Sequence, residues 1–134
     1  MAELRVDRVL TAPPERLWEA FTGADALAAW LWPPAWATVA EVELRPGGSY
    51  RIASEPMGMA VSGEYETVEP TQRLVQTWRW DAEREQTLVT ITIEATDDGS
   101  LLTLVHDGFP TADEASVHLQ GWNDCLDRLP GYLS

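Results

Sequence analysis

The sequence predicts an α+β fold in which one long C-terminal helix packs over a curved antiparallel sheet of seven strands. Apolar and polar residues alternate with a period of two through most of residues 38–106, which is typical of strands with one buried face. Short segments rich in Pro, Gly and Asp interrupt this alternation at regular intervals, as turns do in a meander. Residues 111–129 instead place their apolar side chains at helical spacing.

The N-terminal part of the chain predicts one strand and two short helices. Residues 4–11 alternate between apolar and polar side chains, which favours a strand. Thr11-Ala12-Pro13-Pro14-Glu15 is typical of a helix start, because Pro is tolerated in the first turn and an acid suits the positive helix end. This helix is expected to end at Gly23. A second helix begins at Asp25 and is stopped by Pro33-Pro34.

Six further strands are predicted in the middle of the chain. Their expected ranges are residues 38–44, 49–54, 59–68, 73–80, 87–95 and 101–106. The fifth of these is rich in β-branched residues, which strands favour, and Asp97-Asp98-Gly99 after it indicates a tight hairpin turn. Because the connections are short, consecutive strands are expected to pair antiparallel.

The last helix is expected to cover the sheet and to leave a space beneath it. Thr111 and Glu114 have the spacing of a capping box, and Pro130-Gly131 is expected to end the helix. Gly121 in mid-helix costs about 1 kcal/mol relative to Ala. A close approach to the sheet would compensate for that cost, and a Gly without a role is the alternative. The two short helices would close one end of the space.

Size and charge limit the classes of function that fit. The chain has 134 residues, and we expect residues 1–134 to form one domain. Its net charge is −13, with 22 acidic residues, nine Arg and no Lys. A chain this acidic repels phosphate backbones, which argues against nucleic-acid binding. The absence of Lys excludes Schiff-base chemistry by a lysine.

The sequence shows no signal for membrane insertion or secretion. No apolar run approaches the roughly 20 residues of a transmembrane helix. The N-terminus lacks the basic and apolar blocks of a secretion signal. The single cysteine, Cys125, cannot form an internal disulfide and fits a reducing compartment. We therefore expect a cytoplasmic protein without a membrane span.

Several motifs, in order along the whole chain, match one known family. They are Ala12-Pro13-Pro14-Glu15, Arg45-Pro46-Gly47-Gly48, Glu69-Pro70-Thr71-Gln72-Arg73-Leu74, His106-Asp107-Gly108-Phe109 and Gly121-Trp122-Asn123. With them the chain resembles the START-like, or SRPBCC, superfamily, and within it the branch named after the activator of heat-shock protein 90 ATPase. The resemblance implies a helix-grip fold and the binding of a hydrophobic small molecule. The superfamily also includes lipid carriers and polyketide cyclases.

The candidate ligand-binding residues are aromatic, Met and His side chains expected to face the space under the last helix. They are Trp78, Trp80, Met59, His106, His118 and Trp122 on its wall, with Trp30 and Trp36 at its entrance. Trp78 and Trp80 share a face because they lie two apart in a strand. The aromatic rings would supply apolar contact to a hydrophobic or aromatic ligand. The two His would bind its polar end.

Other functions are compatible with the same residues. No metal or cofactor is expected, because Asp107 points to the opposite strand face from His106 and a third metal ligand is missing. One alternative is an enzyme of the cyclase, aromatase or hydratase type, with His106 or His118 as the acid–base group. Another is a stress- or chaperone-associated module that binds a partner through its acidic surface. A homodimer through exposed Trp side chains of the entrance loop is also compatible.

Overall fold

The computed structural model describes residues 1–134. Its strands alternate between buried and exposed side chains and are joined by short turns, as the sequence predicted. In chain order the elements are β1 (Ala2–Leu10), α1 (Pro14–Thr22), α2 (Ala24–Trp30), β2 (Val39–Val42), β3 (Ser49–Ser54), β4 (Met59–Glu69), β5 (Arg73–Trp80), β6 (Thr87–Thr96), β7 (Gly99–Phe109) and α3 (Ala112–Leu133). A single 3₁₀ turn, Pro34–Trp36, follows α2. The predicted α+β class, with a curved seven-stranded antiparallel sheet and a long C-terminal helix, is confirmed.

The strands form one sheet in the order β1-β7-β6-β5-β4-β3-β2. Strands β2 to β7 follow one another as a meander. The last of them, β7, also pairs with the N-terminal strand β1, which places Leu4 opposite His106 and Val6 opposite Leu104. Helix α3 packs closely against β1 and β7, and α2 lies against β2 and α3. The helices therefore cover one face of the sheet, and α3 crosses it on the side of β1.

Period-two alternation decides which side chains enter the core. The inward positions of β6 and β7 are fully buried, among them Val89, Leu102 and Leu104, whereas their neighbours along each strand are partly exposed. On α3 the buried face includes Leu126 and Leu129. Together with side chains of α1 and α2 these residues form one continuous apolar core. Burial of that surface stabilises the fold by about 25 cal/mol per Å² removed from water.

Helix α3 continues past the residue at which the sequence predicted its end. It runs to Leu133 with Pro130 inside it. Pro130 removes only one N–H donor, and the N–H of Ser134 donates to Pro130 O at 3.1 Å, so the last turn still closes. Arg16 also donates to Leu133 O at 3.2 Å, which ties this helix end to α1. None of the helices combines the length and apolar character needed to cross a membrane.

Strand β7 also extends beyond its predicted end at His106, to Phe109. The pairing with β1 continues through a β-bulge in which Ala2 lies opposite Phe109 and Glu3 opposite Asp107. Gly108 is the extra residue of this bulge, and its φ of 92° favours glycine. The motif that begins at His106 therefore belongs to the sheet. At the other edge, β2 is shorter than the predicted range 38–44.

Candidate functional site

A cavity of about 430 Å³ lies between α3, the inner face of β4 and β5, and the segment that follows α2. Its size falls within the roughly 300–1,000 Å³ range of small-molecule sites. Helix α3 approaches β1 and β7 closely but makes no comparable approach to β4 and β5. The cavity occupies the gap that results.

Five indole rings line this space, which we call the tryptophan cavity. They belong to Trp32, Trp36, Trp78, Trp80 and Trp122. Trp78 and Trp80 come from one face of β5, Trp122 comes from α3, and the other two come from the segment after α2. The rings contact one another, with Trp32 and Trp80 stacked at 6.1 Å and Trp78 and Trp122 at 5.1 Å between centroids. Mutual contact restricts the rings and gives the cavity a preformed aromatic wall.

His118 lines the tryptophan cavity and forms a hydrogen-bonded pair with Trp80. The indole N–H of Trp80 donates to His118 Nε2 at 3.0 Å. The other ring nitrogen, Nδ1, lies 2.9 Å from the main-chain oxygen of Glu114. A carbonyl oxygen only accepts, so this arrangement assigns the proton to Nδ1 and leaves Nε2 as the acceptor. Both nitrogens of His118 are therefore engaged within the protein.

His106 forms a second pair of the same kind behind the cavity wall. The indole N–H of Trp122 donates to His106 Nδ1 at 3.0 Å. His106 Nε2 therefore carries the proton and donates to Thr87 Oγ1 at 2.6 Å, and that hydroxyl donates to Trp78 O at 3.1 Å. Burial, with a smaller contribution from nearby His118, lowers the pKa of His106 to about 3. His106 is thus a neutral, fully buried acceptor at neutral pH.

Two hydrogen-bond donors near the cavity lack a usual partner: the indole of Trp78 has no acceptor, and the guanidinium of Arg128 has no carboxylate. The indole N–H of Trp78 is buried without a hydrogen-bond acceptor in the protein, which costs about 1–3 kcal/mol. Arg128 is half-buried and donates from Nε to Trp30 O at 3.3 Å and from Nη2 to Leu31 O at 2.7 Å. Its guanidinium has no carboxylate within the 4.0 Å of an ion pair, unlike those of four other arginines.

The thiol of Cys125 also lines the cavity, and burial raises its pKa to about 11. It is therefore a neutral, weakly polar group at neutral pH and lacks the thiolate that a nucleophile needs. The chain contains no group of three or more His, Cys, Asp or Glu side chains placed to hold a metal ion.

The structure brings six of the eight predicted site residues together. Trp36, Met59, Trp78, Trp80, His118 and Trp122 line the tryptophan cavity. His106 does not line it, because its side chain is fully buried, with the rings of Trp78 and Trp122 among its neighbours. Trp30 is not at the entrance. Its indole N–H donates to Ala20 O at 2.8 Å inside the core, and its ring packs edge-on against Phe21.

Several lining residues were not among the predicted ones. They are Leu31, Trp32, Pro33, Glu83, Val117, Gly121, Asp124, Cys125 and Arg128. The sequence could have indicated four of them. Their spacing of four, three and four residues places them on one face of a helix: Val117, Gly121, Asp124 and Arg128. The expected close approach of Gly121 to the sheet is wrong. A Cβ added there meets no atom within 4 Å, so Gly121 borders open space.

A larger polar groove of about 720 Å³ lies on the outer face of the sheet. Its lining includes the exposed carboxylates of Glu64 and Glu66, as well as Arg51 and Arg79. Arg51 already forms two hydrogen bonds with the carboxylate of Asp81, at 2.9 and 2.7 Å. Solvated charges of this kind contribute little to specific binding, so the smaller apolar cavity is the better candidate site.

The chain is similar to a known protein family and to several proteins of known structure. The profile of the family described as Activator of Hsp90 ATPase homolog 1-like protein matches residues 11–134. A protein of Chromobacterium violaceum is 32% identical, with a TM-score of 0.85 over 98% of this chain and 96% of its own. A Rhodobacter sphaeroides protein is 28% identical, with a TM-score of 0.85 over 98% and 91%.

An HSP90 activator from Plasmodium falciparum shares the fold. It is 23% identical, with a TM-score of 0.78 over 95% of this chain and 92% of its own. No protein with a curated description matches the chain.

Proposed function

The chain belongs to the family of Activator of Hsp90 ATPase homolog 1-like proteins, and from that premise we propose that it binds a hydrophobic or aromatic small molecule in the tryptophan cavity. The observation that carries this proposal is a space of about 430 Å³ whose wall contains five indole rings. We assign the binding wall to Trp36, Met59, Trp78, Trp80, His118 and Trp122. Transfer of apolar ligand surface from water to this wall is favourable by about 25 cal/mol per Å².

The hydrogen bonds of the two histidines favour binding over acid–base catalysis. His118 faces the cavity, but Trp80 and the Glu114 carbonyl occupy both of its ring nitrogens. His106 does not line the cavity, and its pKa of about 3 keeps its imidazole neutral at neutral pH. A general acid or base needs a free proton site within reach of the substrate. Neither histidine offers one without breaking its bond to an indole.

A homodimer through the entrance loop has less support. That idea depended on exposed tryptophans, but Trp30 and Trp32 are buried and Trp36 is half-buried. A chaperone partner, a cytoplasmic location and a single domain spanning residues 1–134 stay predictions from the sequence.

The proposal is tested with the neutral fluorescent probe N-phenyl-1-naphthylamine. We expect saturable binding and a higher melting temperature, since a ligand at 100 times its Kd adds about 2.7 kcal/mol to the free energy of unfolding. In Gly121→Leu the new side chain projects into open space at the cavity, so the probe affinity is expected to fall at least tenfold.

Ser116→Leu is the matched control, because Ser116 is exposed on the same helix and does not line the cavity. Its probe affinity should match that of the original chain. Absence of saturable binding to the unmodified protein, or equal affinities in the two Leu variants, would contradict the proposal.

A further inference from the structure

The charge of Arg128 is held inside the structure without a counter-ion. Its guanidinium donates to the carbonyl oxygens of Trp30 and Leu31, at the end of α2. Those two bonds use two of its five N–H groups and neutralise none of its charge. By contrast, Arg8 beside the same helix pairs with Asp127 at 2.9 Å. Arg128 is therefore a half-buried cation without an ion-pair partner, and it lines the tryptophan cavity.

The indole N–H of Trp78 is a second donor without an acceptor, although its nitrogen is closed off from the cavity, with less than 1 Å² accessible. Its side chain is 95% buried, with a relative exposure of 5%, and the N–H has no acceptor. Three other tryptophans each have one: Trp30 donates to a main-chain carbonyl, Trp80 to His118 and Trp122 to His106. A ligand in the cavity therefore reaches the N–H of Trp78 only if neighbouring side chains move, and Arg128 is the donor that lines the cavity.

Among the nitrogen and oxygen atoms of the side chains on the inner wall, no corresponding acceptor is free. Both nitrogens of His118 are engaged, and an indole N–H only donates. The carboxylates of Glu83 and Asp124 belong to exposed residues at the rim, where water solvates them. Asp124 in addition accepts from Gln120 Nε2 at 3.0 Å. Among the side chains that line the cavity, Arg128 therefore supplies the charged donors that remain for a ligand.

We propose that the natural ligand is a hydrophobic carboxylic acid whose carboxylate binds the guanidinium of Arg128. This inference rests on the proposed function and adds the chemical class of the ligand. A carboxylate matches the geometry of a guanidinium and supplies the missing negative charge. The aromatic rings contact the remainder of the molecule.

Three probes with one ring system separate charge from shape. They are 2-naphthylacetate, the neutral 2-naphthylacetamide and the cationic 2-(2-naphthyl)ethylamine. Titration calorimetry with the full chain at pH 7.5 and 0.15 M salt is expected to rank the carboxylate at least tenfold tighter than the amide. The amine should bind more weakly than the amide, because its charge repels that of Arg128.

The variant Arg128→Met keeps an unbranched side chain but removes the charge and the donors. It should lower the affinity for 2-naphthylacetate at least tenfold and that for the amide by a smaller factor, so that the preference for the carboxylate is lost. Arg128→Lys retains the charge and should keep the preference for the carboxylate. Arg16→Met is the control, since Arg16 also donates to a carbonyl at a helix end, Leu133 O, but lies outside the cavity.

The outcomes separate this inference from the proposed function. If the amide or the amine binds as tightly as the carboxylate, the carboxylate assignment is wrong, while the cavity still binds hydrophobic molecules. If Arg128→Met keeps the carboxylate preference, the role of Arg128 is wrong. Failure of all three probes and of N-phenyl-1-naphthylamine overturns both proposals. If Arg128→Met fails to fold, the order of the three probe affinities on the unmodified chain tests the carboxylate assignment by itself.

Discussion

The two histidines of this chain use the same bonding pattern in different surroundings. Each accepts the N–H of an indole at one ring nitrogen and bonds to an oxygen through the other. His118 pairs with Trp80 on the cavity wall and is half-exposed, whereas His106 pairs with Trp122 and is fully buried. Their rings are only 5.4 Å apart.

The two histidine–tryptophan pairs differ in whether water or a ligand can replace a lost hydrogen-bond partner. Water or a ligand can reach His118 and satisfy a bond that is broken there. No solvent reaches His106, so each lost partner leaves a buried polar group unsatisfied. We therefore expect the same motif to serve the proposed binding at His118 and folding at His106, and the following experiments test that distinction.

The largest expected effect comes from truncating the buried histidine. His106→Ala leaves a void and removes the acceptor of the Trp122 N–H, so the free energy of unfolding should fall by about 3–4 kcal/mol. His118→Ala, on the cavity wall, should cost about 1 kcal/mol or less. Urea denaturation of both variants measures the two losses. Equal losses would show that the burial of His106 does not separate the pairs.

A second effect is the pH dependence that His106 imposes on stability. Its pKa is about 3 in the folded protein, below the ordinary value of 6.5, so the unfolded chain binds the extra proton. The stability contribution is therefore present above pH 6.5 and is lost as the pH falls toward 3. Between pH 7 and pH 5 this group alone should lower the free energy of unfolding by about 2 kcal/mol.

The comparison variant for this measurement is His106→Gln, which keeps polar atoms but does not titrate. Acidic residues affect both proteins alike, so the difference between their stability curves isolates the histidine. Parallel curves from pH 7 to pH 5 would exclude the proposed proton linkage.

The smallest of these effects tests the oxygen partner. Thr87→Val keeps the side-chain shape but removes the hydroxyl that accepts from His106 and donates to Trp78 O. A loss of about 1–2 kcal/mol is expected from chemical denaturation. Thr90→Val, at a partly exposed position on the same strand, should change stability by less than about 0.5 kcal/mol. A similar small change at Thr87 would mean that the hydroxyl contributes little.

Much of the fold could be predicted because its signals are local. The N–H of Glu114 donates to Thr111 Oγ1 at 3.1 Å, as the capping spacing indicated. Trp78 and Trp80 share the inner face of β5 because strand parity requires it. The end of α3 was misplaced for a physical reason. The cost of a Pro depends on its position in the helix, and in the last turn only one bond is lost.

The candidate site was harder to predict because it depends on contacts between distant segments. His106 has the inward parity that the sequence indicated, but only packing shows that it is fully buried and bonded to Trp122. Arg128 was missed because the carbonyl it contacts on Trp30 lies 98 residues earlier in the chain. No local pattern reports such a contact, nor the open space beside Gly121.

The amino-acid sequence by itself determined the order of strands and helices, the faces they bury and the acidic character of the chain, since periodicity, turn chemistry and charge are properties of neighbouring residues. Only the tertiary structure decided how far α3 stands from β5, which side chains occupy that gap and which charge was left without a partner. Those properties depend on distances between elements that are remote in the chain. The sequence pattern shows which side chains point inward, but only their packing shows which of them line the gap.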